Sequence, residues 1–166
     1  MVSSFNSSIS GQTKKNENRG FIVEVGQKAP DFEYELIDGT KGRLADLKGK
    51  VVLLQFTASW CSVCIKEMPH LENEIWQIHK DKEFVLIGID RDEELDIVQK
   101  FIDKIDVSYP ISLDPGGEIF NLFAQHGSGV TRNVLIDAEG NIVFLTRLYD
   151  PEEFALLKSA VRKQVD

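Results

Sequence analysis

The sequence predicts an α/β domain with a central mixed sheet, helices on both faces and an N-terminal β-hairpin. Uninterrupted apolar runs, typical of strands buried on both faces, alternate with segments whose apolar residues recur every three or four positions, typical of helices. The chain has 166 residues, of which 42% are hydrophobic and 28% are charged. This composition is ordinary for a globular protein, and the length is sufficient for one substantial core. We therefore predict a single domain over residues 21–166.

The first elements of this domain are short. Apolar and charged side chains alternate over residues 32–36, and Asp38-Gly39 then marks a hairpin turn. Residues 44–47 predict one helical turn before the chain enters the run at 50–56. That run shows almost no alternation and predicts a central strand covered on both faces.

The remaining pattern alternates helices and strands and ends in a hairpin followed by a helix. Strands are predicted at 84–89, 111–113, 134–136 and 142–145, and helices at 61–79, 95–105, 118–124 and from Pro151 onward. The order predicts a sheet that is parallel in its first part and antiparallel at its end.

Residues 1–20 differ in composition from the rest of the chain. They are rich in Ser, Asn, Gln and Lys, so we predict a disordered tail or tether. The net charge of −8 argues against nucleic acid or an anionic membrane as a partner. No apolar run approaches the roughly 20 residues that cross a bilayer, which leaves an N-terminal tether as the predicted route to a membrane.

Both cysteines of the chain lie where the central strand meets the first long helix. Cys61 is predicted at the helix N-terminus, where free amide groups lower the pKa of a thiol, and Cys64 lies one turn inside. Only two residues separate them, so their sulfurs can form a disulfide. A strand–CxxC–helix pattern favours a redox pair over two packed cysteines. With no second CxxC and no paired histidines, we predict neither a metal site nor a cofactor.

A proton acceptor is needed if Cys64 is to act as a thiolate from its less exposed position. Glu67 lies three residues further along the same helix face and is the candidate. A solvated glutamate in the first turns of a helix fits the same pattern equally well. Pro69 removes an amide donor and is expected to loosen the helix after two turns.

These motifs resemble the TlpA/ResA-like branch of the thioredoxin superfamily, which is related to AhpC/TSA proteins. The resemblance rests on Trp60-Cys61-Ser62-Val63-Cys64 with Lys66-Glu67-Met68-Pro69, and on the stretches 26–32 and 44–53. It implies a thioredoxin-like fold in which Cys61 is the nucleophile, Cys64 the resolving cysteine and Glu67 the residue that tunes the thiols.

The same resemblance implies the biological setting. It suggests a thiol–disulfide oxidoreductase of the periplasm or cell envelope, with protein disulfides or dithiols as substrates and a redox partner that recycles the dithiol. We expect a monomer.

Two positions depart from the family pattern. Gln55 stands where thioredoxins have a buried aspartate, which makes Glu67 the better proton acceptor. Thr131, within Gly129-Val130-Thr131-Arg132, stands where the family has a cis-proline. Because a cis bond before a residue other than proline costs about 2.5–4 kcal/mol, we expect a trans Val130–Thr131 peptide and a reshaped groove beside Cys61.

Substrate contacts are predicted at Trp60, Val130, Thr131 and Arg132. We consider three possibilities for Arg132. It stabilises the Cys61 thiolate, it binds an acidic partner, or it is an exposed arginine without a functional role. A second enzyme hypothesis is a peroxiredoxin-like peroxidase, suggested by Ala29-Pro30-Asp31-Phe32 and Arg132, although Ala58 stands where a peroxidatic site wants threonine. A third hypothesis is a metal or iron–sulfur site formed by the CxxC pairs of two subunits.

Overall fold

The computed structural model describes residues 19–166. The predicted tail at 1–20 lies outside the described residues except for Arg19 and Gly20. These two residues already contact the domain, since Arg19 pairs with Glu153 and the Gly20 carbonyl accepts a hydrogen bond from the Gln125 amide. Within 19–166, no helix is long and apolar enough to cross a membrane.

The described chain alternates strands and helices in the predicted order. The strands are β1 (Glu33–Leu36), β2 (Lys41–Arg43), β3 (Val51–Thr57), β4 (Phe84–Arg91), β5 (Ile111–Asp114), β6 (Arg132–Ile136) and β7 (Ile142–Arg147). The helices are α1 (Ser62–Leu71), α2 (Gln77–His79), α3 (Leu95–Ile105), α4 (Phe120–Phe123) and α5 (Pro151–Val165), with short 3₁₀ turns at Leu44–Leu47 and Pro115–Gly117. The predicted hairpin, helical turn and final helix are all confirmed.

One seven-stranded mixed sheet joins all the strands, in the order β2-β1-β5-β4-β3-β6-β7. Strands β3, β4 and β5 are parallel, whereas β6 and β7 run antiparallel to their neighbours. The hairpin of β1 and β2 extends the sheet by pairing antiparallel with β5. The central position of β3 explains its composition, since every one of its seven residues is buried.

The core lies on both faces of this sheet. Helices α1, α3 and α5, with the helical turn at Glu72–Trp76, cover one face with the buried side chains Met68, Leu71, Ile75, Val98, Phe101, Ile102, Phe154, Leu157 and Val161. The other face is covered by α4, the 3₁₀ turn at Leu44–Leu47 and the N-terminal segment, through Phe21, Val23, Phe32, Leu44, Phe120 and Phe123. Because α1 packs on the first face, it meets the side chains of β3 and β6 that point there.

The helix that carries the cysteines changes its winding after Pro69. Helix α1 passes into a π-helical turn at Glu72–Trp76 and then into the short α2, which ends at His79 as predicted. Proline has no amide hydrogen to donate within the helix, which frees a carbonyl one turn earlier and favours irregular winding nearby. The predicted loosening is therefore confirmed.

Gly88 on β4 leaves the space in which a polar contact forms behind the cysteines. It pairs with Gln55 on β3, whose Oε1 accepts a hydrogen bond of 3.0 Å from the Tyr109 hydroxyl. A Cβ at position 88 would lie 2.6 Å from Ile111 Cδ1 and 3.3 Å from Gln55 Oε1. The side chains around position 88 would therefore have to shift to admit even one methyl group.

We predict that Gly88→Ala lowers the free energy of unfolding by about 1–3 kcal/mol, because overpacking a dense core forces side chains off their rotamers. Ile111→Val removes the Cδ1 atom that the new methyl group would meet, so the double variant should recover part of the loss. Urea unfolding of the four proteins of this cycle measures the coupling. Additive effects of the two substitutions would contradict the close approach seen here.

Candidate active site

Cys61 begins the first long helix, at the carboxyl end of the central strand. It is the N-cap residue of α1, with an extended backbone, and its Sγ accepts a 3.2 Å hydrogen bond from the Cys64 amide. This amide is one of the donors that a helix start leaves free. It points at the sulfur together with the positive end of the helix dipole, so the site favours a Cys61 thiolate.

The two cysteines form a disulfide in this structure, with their Cα atoms 5.3 Å apart. Cys61 keeps 7% of its surface exposed, whereas Cys64 has none. A partner can therefore approach the first sulfur but not the second. The Cys64 Sγ instead faces the interior, 3.9 Å from the carbonyl oxygen of Phe56 on β3.

Thr131 lies against both sulfurs. Its Oγ1 is 3.1 Å from the Cys61 Sγ and 3.2 Å from the Cys64 Sγ, and the residue is 2% exposed. No cis peptide bond occurs in residues 19–166, so the predicted trans Val130–Thr131 peptide is confirmed. The position that resembles the cis-proline of the family thus holds a hydroxyl group in contact with the dithiol.

Glu67 lies further from the surface than the cysteines, where α1 packs against β6. Cys64 and Glu67 are three residues apart on one face of α1. Thr131, immediately before β6, and Asn133 on β6 are two residues apart, so their side chains point to the same side of the sheet. Cys64 contacts Thr131, and the Asn133 Nδ2 donates a 3.0 Å hydrogen bond to the Glu67 Oε2. The Glu67 carboxyl therefore lies about one helical turn, roughly 5 Å along the axis, from the level of the Cys64 sulfur.

Burial changes the chemistry of this carboxyl. It raises the pKa of Glu67 to about 8, although the hydrogen bond from Asn133 opposes the shift, and the charge of Glu153 adds to it. The Glu67 Oε1 has no hydrogen-bond partner among the described residues. The alternative of a solvated glutamate is therefore wrong, because Glu67 is only 1% exposed.

A buried polar layer surrounds Glu67 behind the dithiol. Asn133 also donates a 2.9 Å hydrogen bond to the Thr146 Oγ1 on β7, and it pairs across the strands with Gln55. The Gln55 Nε2 and the Asn133 Oδ1 lack partners within residues 19–166, as does the Glu67 Oε1. Three unpaired polar atoms on one face of the interior make a polar site of the kind in which proteins hold a buried water.

Arg132 is buried, which excludes the exposed arginine, one of the three possibilities considered for it. The side chain is 1% exposed, its Nε donates to the Gly129 carbonyl at 2.9 Å, and its Nη1 donates to the Arg19 carbonyl at 2.6 Å. The guanidinium lies 4.7 Å from the centre of the Phe21 ring. The expectation of an exposed arginine is wrong, and the contacts seen here hold the backbone around Thr131 instead of presenting a charge to the thiolate or to a substrate.

Other arginines hold the same loop. The Arg147 Nη1 donates to the Thr131 carbonyl at 3.0 Å, and the Arg91 Nη1 donates to the Ser128 carbonyl at 2.8 Å. Arg19 binds Glu153 through an ion pair of 2.7 Å. Burial, with the neighbouring arginine charges, lowers the pKa of Arg132 to about 10. The loop that carries Thr131 is thus fixed by charged side chains from both of its ends.

Trp60 and Val130 differ in how much of each side chain is exposed beside Cys61. Trp60, immediately before Cys61, is 62% exposed and stacks with Arg91, whose guanidinium carbon lies 5.4 Å from the ring centre. Val130 is 3% exposed, so the residue offers a partner very little surface. The apolar surface beside the reactive sulfur is therefore the Trp60 ring.

Sequence reasoning missed an acidic pair beneath the turn that precedes Cys61. Glu93 accepts hydrogen bonds from the Ser59 amide, at 2.7 Å, and from the Ser59 hydroxyl. Beside it, burial raises the pKa of Asp90 to about 9, and the Glu93 carboxyl adds to the shift. Neither oxygen of Asp90 has a partner within the described residues. The signal was present, since Asp90 ends an apolar strand adjacent to the strand that leads to the CxxC, but nothing in the sequence paired it with Glu93.

Comparison with known proteins agrees with this geometry. The AhpC/TSA family matches residues 25–145. The chain belongs to this family. It is 36% identical over 121 residues to the thiol-disulfide oxidoreductase ResA of Bacillus thuringiensis subsp. konkukian. The alignment covers 73% of this chain and 68% of that protein. These matches place the chain in the ResA/TlpA-like group of the thioredoxin superfamily.

Solved structures show the same fold. The solution structure of a candidate protein disulfide isomerase from Bacteroides thetaiotaomicron is 54% identical, covers 88% of this chain and 92% of that one, and superposes with a TM-score of 0.85. A candidate thiol:disulfide interchange protein DsbE from Chlorobium tepidum is 26% identical, covers 87% and 99% of the two chains, and has a TM-score of 0.77. The predicted thioredoxin-like fold is confirmed.

The raised pKa of Glu67 predicts a pH-dependent cost to stability. Between pH 4.5, the ordinary pKa, and pH 8, the folded protein keeps a proton that the unfolded chain has released, so stability falls as the pH rises across this window. We predict that Glu67→Gln becomes more stable than the parent as the pH rises through this window, by up to about 4–5 kcal/mol at pH 8, with little difference below pH 4.5. Urea unfolding across the window measures this.

Glu139→Gln, at an exposed turn, is the matched control for this experiment. It removes the same charge without removing a buried carboxyl, so its stability should follow that of the parent at every pH. A Glu67→Gln protein that parallels the parent across the whole window would show that Glu67 is ionised in the fold.

Proposed function

We propose that this thiol–disulfide oxidoreductase reduces protein disulfides with Cys61 as the nucleophile, Cys64 as the resolving cysteine and Glu67 as the group that exchanges a proton with Cys64. The observation that carries the proposal is the asymmetry of the pair. Cys61 lies at a helix start and keeps 7% of its surface exposed, whereas Cys64 is fully buried one turn inside, with an acid of raised pKa one step deeper.

In the first step the Cys61 thiolate attacks one sulfur of a substrate disulfide. A bond forms between the Cys61 Sγ and that sulfur, and the substrate disulfide breaks to release a substrate thiolate. The helix start and the Cys64 amide hold the attacking charge on Cys61. The product of this step is a mixed disulfide between protein and substrate.

In the second step Cys64 loses its proton and attacks the Cys61 Sγ. The Cys61–Cys64 disulfide forms and the second substrate thiolate leaves, so two electrons have passed from the dithiol to the substrate. The ionised form of Glu67 accepts the Cys64 proton. A carboxyl whose pKa is about 8 is close to neutrality, where a proton-exchanging group works best.

The substrate surface follows from what is exposed around Cys61. Trp60 provides an apolar contact, and Val130 and Thr131, which are 3% and 2% exposed, border the site because Thr131 contacts both sulfurs. Arg132 is left out of this surface because its guanidinium is buried. We include Trp60, Val130 and Thr131 in the proposed substrate contacts.

The proposed setting is the periplasm or cell envelope, where a redox partner recycles the dithiol and the protein acts as a monomer on exported proteins. Similarity to ResA and to the DsbE-like structure supports this setting. Fractionation of cells that express the native gene tests it, and recovery of the protein with cytoplasmic markers would contradict it.

The two other hypotheses gain no support. The peroxidase hypothesis relied in part on Arg132, but its guanidinium is buried and donates hydrogen bonds to the Gly129 and Arg19 carbonyls. The ResA relatives carry the name thiol-disulfide oxidoreductase. A metal or iron–sulfur site shared by two subunits is not favoured by these relatives either.

We predict that Cys61→Ser abolishes reduction of insulin disulfides, because the attacking thiolate is lost, and that Cys64→Ser instead accumulates the mixed disulfide, because the resolving thiolate is lost. Mass spectrometry of the reaction without added reductant distinguishes the two variants. The parent protein treated with hydrogen peroxide serves as the comparison. Rapid peroxide turnover without insulin reduction would refute the proposal.

The role of Glu67 has its own test in the resolution step. Dithiobis-nitrobenzoate releases one coloured thiolate on attack by Cys61 and a second when Cys64 closes the disulfide, so the two steps appear as two phases. We predict that Glu67→Gln slows the second phase about 100-fold and leaves the first nearly unchanged. Glu139→Gln is again the control. An unchanged second phase would exclude Glu67 as the proton acceptor.

A further inference from the structure

The Thr131 hydroxyl touches both reacting sulfurs at once. Its distances of 3.1 Å to the Cys61 Sγ and 3.2 Å to the Cys64 Sγ are nearly equal, and these sulfurs are its hydrogen-bond partners within residues 19–166. A threonine hydroxyl carries a single proton to donate, and it rotates about the Cβ–Oγ1 bond to suit its surroundings. The proton can therefore face either sulfur without movement of the backbone.

The backbone that carries this hydroxyl is held in place. The Thr131 carbonyl accepts hydrogen bonds from the Leu148 amide and from the Arg147 guanidinium, both at 3.0 Å. Arg132, next in the chain, is bound to the Gly129 carbonyl. With the loop fixed on both sides of position 131, rotation of the hydroxyl is the motion that remains for the side chain.

We propose that Thr131 is a positioning residue whose one hydroxyl proton stabilises the two thiolates of the reaction in turn. This inference rests on the proposed function, in which Cys61 and Cys64 act as thiolates in succession. In the reduced protein the hydroxyl donates to the Cys61 thiolate. Once Cys61 is joined to the substrate, the same hydroxyl donates to the Cys64 thiolate.

The hydroxyl is neither acid nor base in this scheme, and its proton stays on Oγ1 throughout. The bonds that form and break are those of the two exchange steps, with the electrons passing from the dithiol to the substrate. At the first step the Cys64 amide is a second donor to the Cys61 Sγ. The bond of Thr131 to the Cys64 Sγ is the corresponding donor for the second thiolate.

Most charged groups on the elements around the dithiol bind other partners, and the two buried acids there hold their protons more tightly than an exposed acid does. Glu67 and Asp90 have raised pKa values of about 8 and about 9, and both are buried. Glu93 binds Ser59, and Arg91 binds the Ser128 carbonyl. Arg132 binds the Gly129 and Arg19 carbonyls, and Arg147 binds the Thr131 carbonyl. Neutral donors at the sulfurs are therefore the local means of stabilising a thiolate.

The substitution Thr131→Val tests this directly, because valine keeps the branched shape and removes the hydroxyl. A hydrogen bond to a charged acceptor is worth enough to change a thiol equilibrium about tenfold. We expect Thr131→Val to raise the pKa of the Cys61 thiol, measured by the pH dependence of alkylation, and to slow alkylation at neutral pH about tenfold. Thr131→Ser, which keeps the hydroxyl, should restore the parent rate.

The two-phase reaction with dithiobis-nitrobenzoate then shows whether the hydroxyl stabilises one thiolate or both. Thr131→Val should slow both coloured phases, and Thr131→Ser should recover both. Since the hydroxyl favours the thiolate form, the variant disulfide should also be harder to reduce, with a roughly tenfold change in its equilibrium with glutathione, about 30 mV. Thr131→Ala is a second variant for the case that valine prevents folding.

Slowing of only one phase would overturn the proposal in favour of a bond to a single sulfur. Unchanged alkylation, phases and potential in both Thr131→Val and Thr131→Ala would overturn it altogether, while insulin reduction by the parent would leave the proposed function intact. Failure of the parent to reduce insulin would instead refute the proposed function. Alkylation of the parent and of Thr131→Val would still report whether the hydroxyl stabilises the Cys61 thiolate.

Discussion

The site depends on the packing of α1 across β6. This contact places two levels of side chains against each other: Cys64 against Thr131, and Glu67 against Asn133. The two levels can face each other because three residues of a helix and two residues of a strand each advance the chain by a few ångströms. The upper level holds the sulfurs near the surface, and the lower level holds the acid in the core.

The environments at these two levels favour opposite protonation states. At the upper level, neutral donors from the helix start and from Thr131 favour a thiolate, which is the charged form. At the lower level, burial removes Glu67 from water, which favours the neutral acid and raises its pKa to about 8, and its Oε1 lacks a hydrogen-bond partner among the described residues. One part of the interface therefore releases a proton easily while the neighbouring part holds one, a combination suited to passing a proton between them.

The loop that carries Thr131 is held by charge where the family resemblance implies a proline. Proline restricts the backbone through its ring. Here Arg147 and Leu148 bind the Thr131 carbonyl from β7 and the residue after it, and Arg132 binds the Gly129 carbonyl from within the loop. Because these interactions fix the backbone from outside, the side chain at position 131 is free to carry a hydroxyl group. The cost is a buried arginine, partly offset by its contacts with aromatic rings.

The hydrophobic pattern alone predicts the order of the elements, the central buried strand and the position of Cys61 at a helix start. These features depend on apolar periodicity and on residues close together in the chain, such as Cys61 and Cys64. The sequence also singled out Glu67 and Thr131, through spacing and through departure from a family pattern. It could not pair Asp90 with Glu93 or place Arg132 in the core, because an isolated charged residue in a sequence carries no information about its partner.

Only the tertiary structure decided which groups meet the dithiol. Thr131 lies 70 residues from Cys61, and Asn133 lies 66 residues from Glu67. They meet because β6 returns antiparallel beside β3, under the helix that β3 leads into. The physical reason is that a hydrogen bond to a sulfur or a carboxyl needs a position within a few tenths of an ångström. The packing of the sheet against α1 defines that position, and the hydrophobic pattern that selects the fold does not.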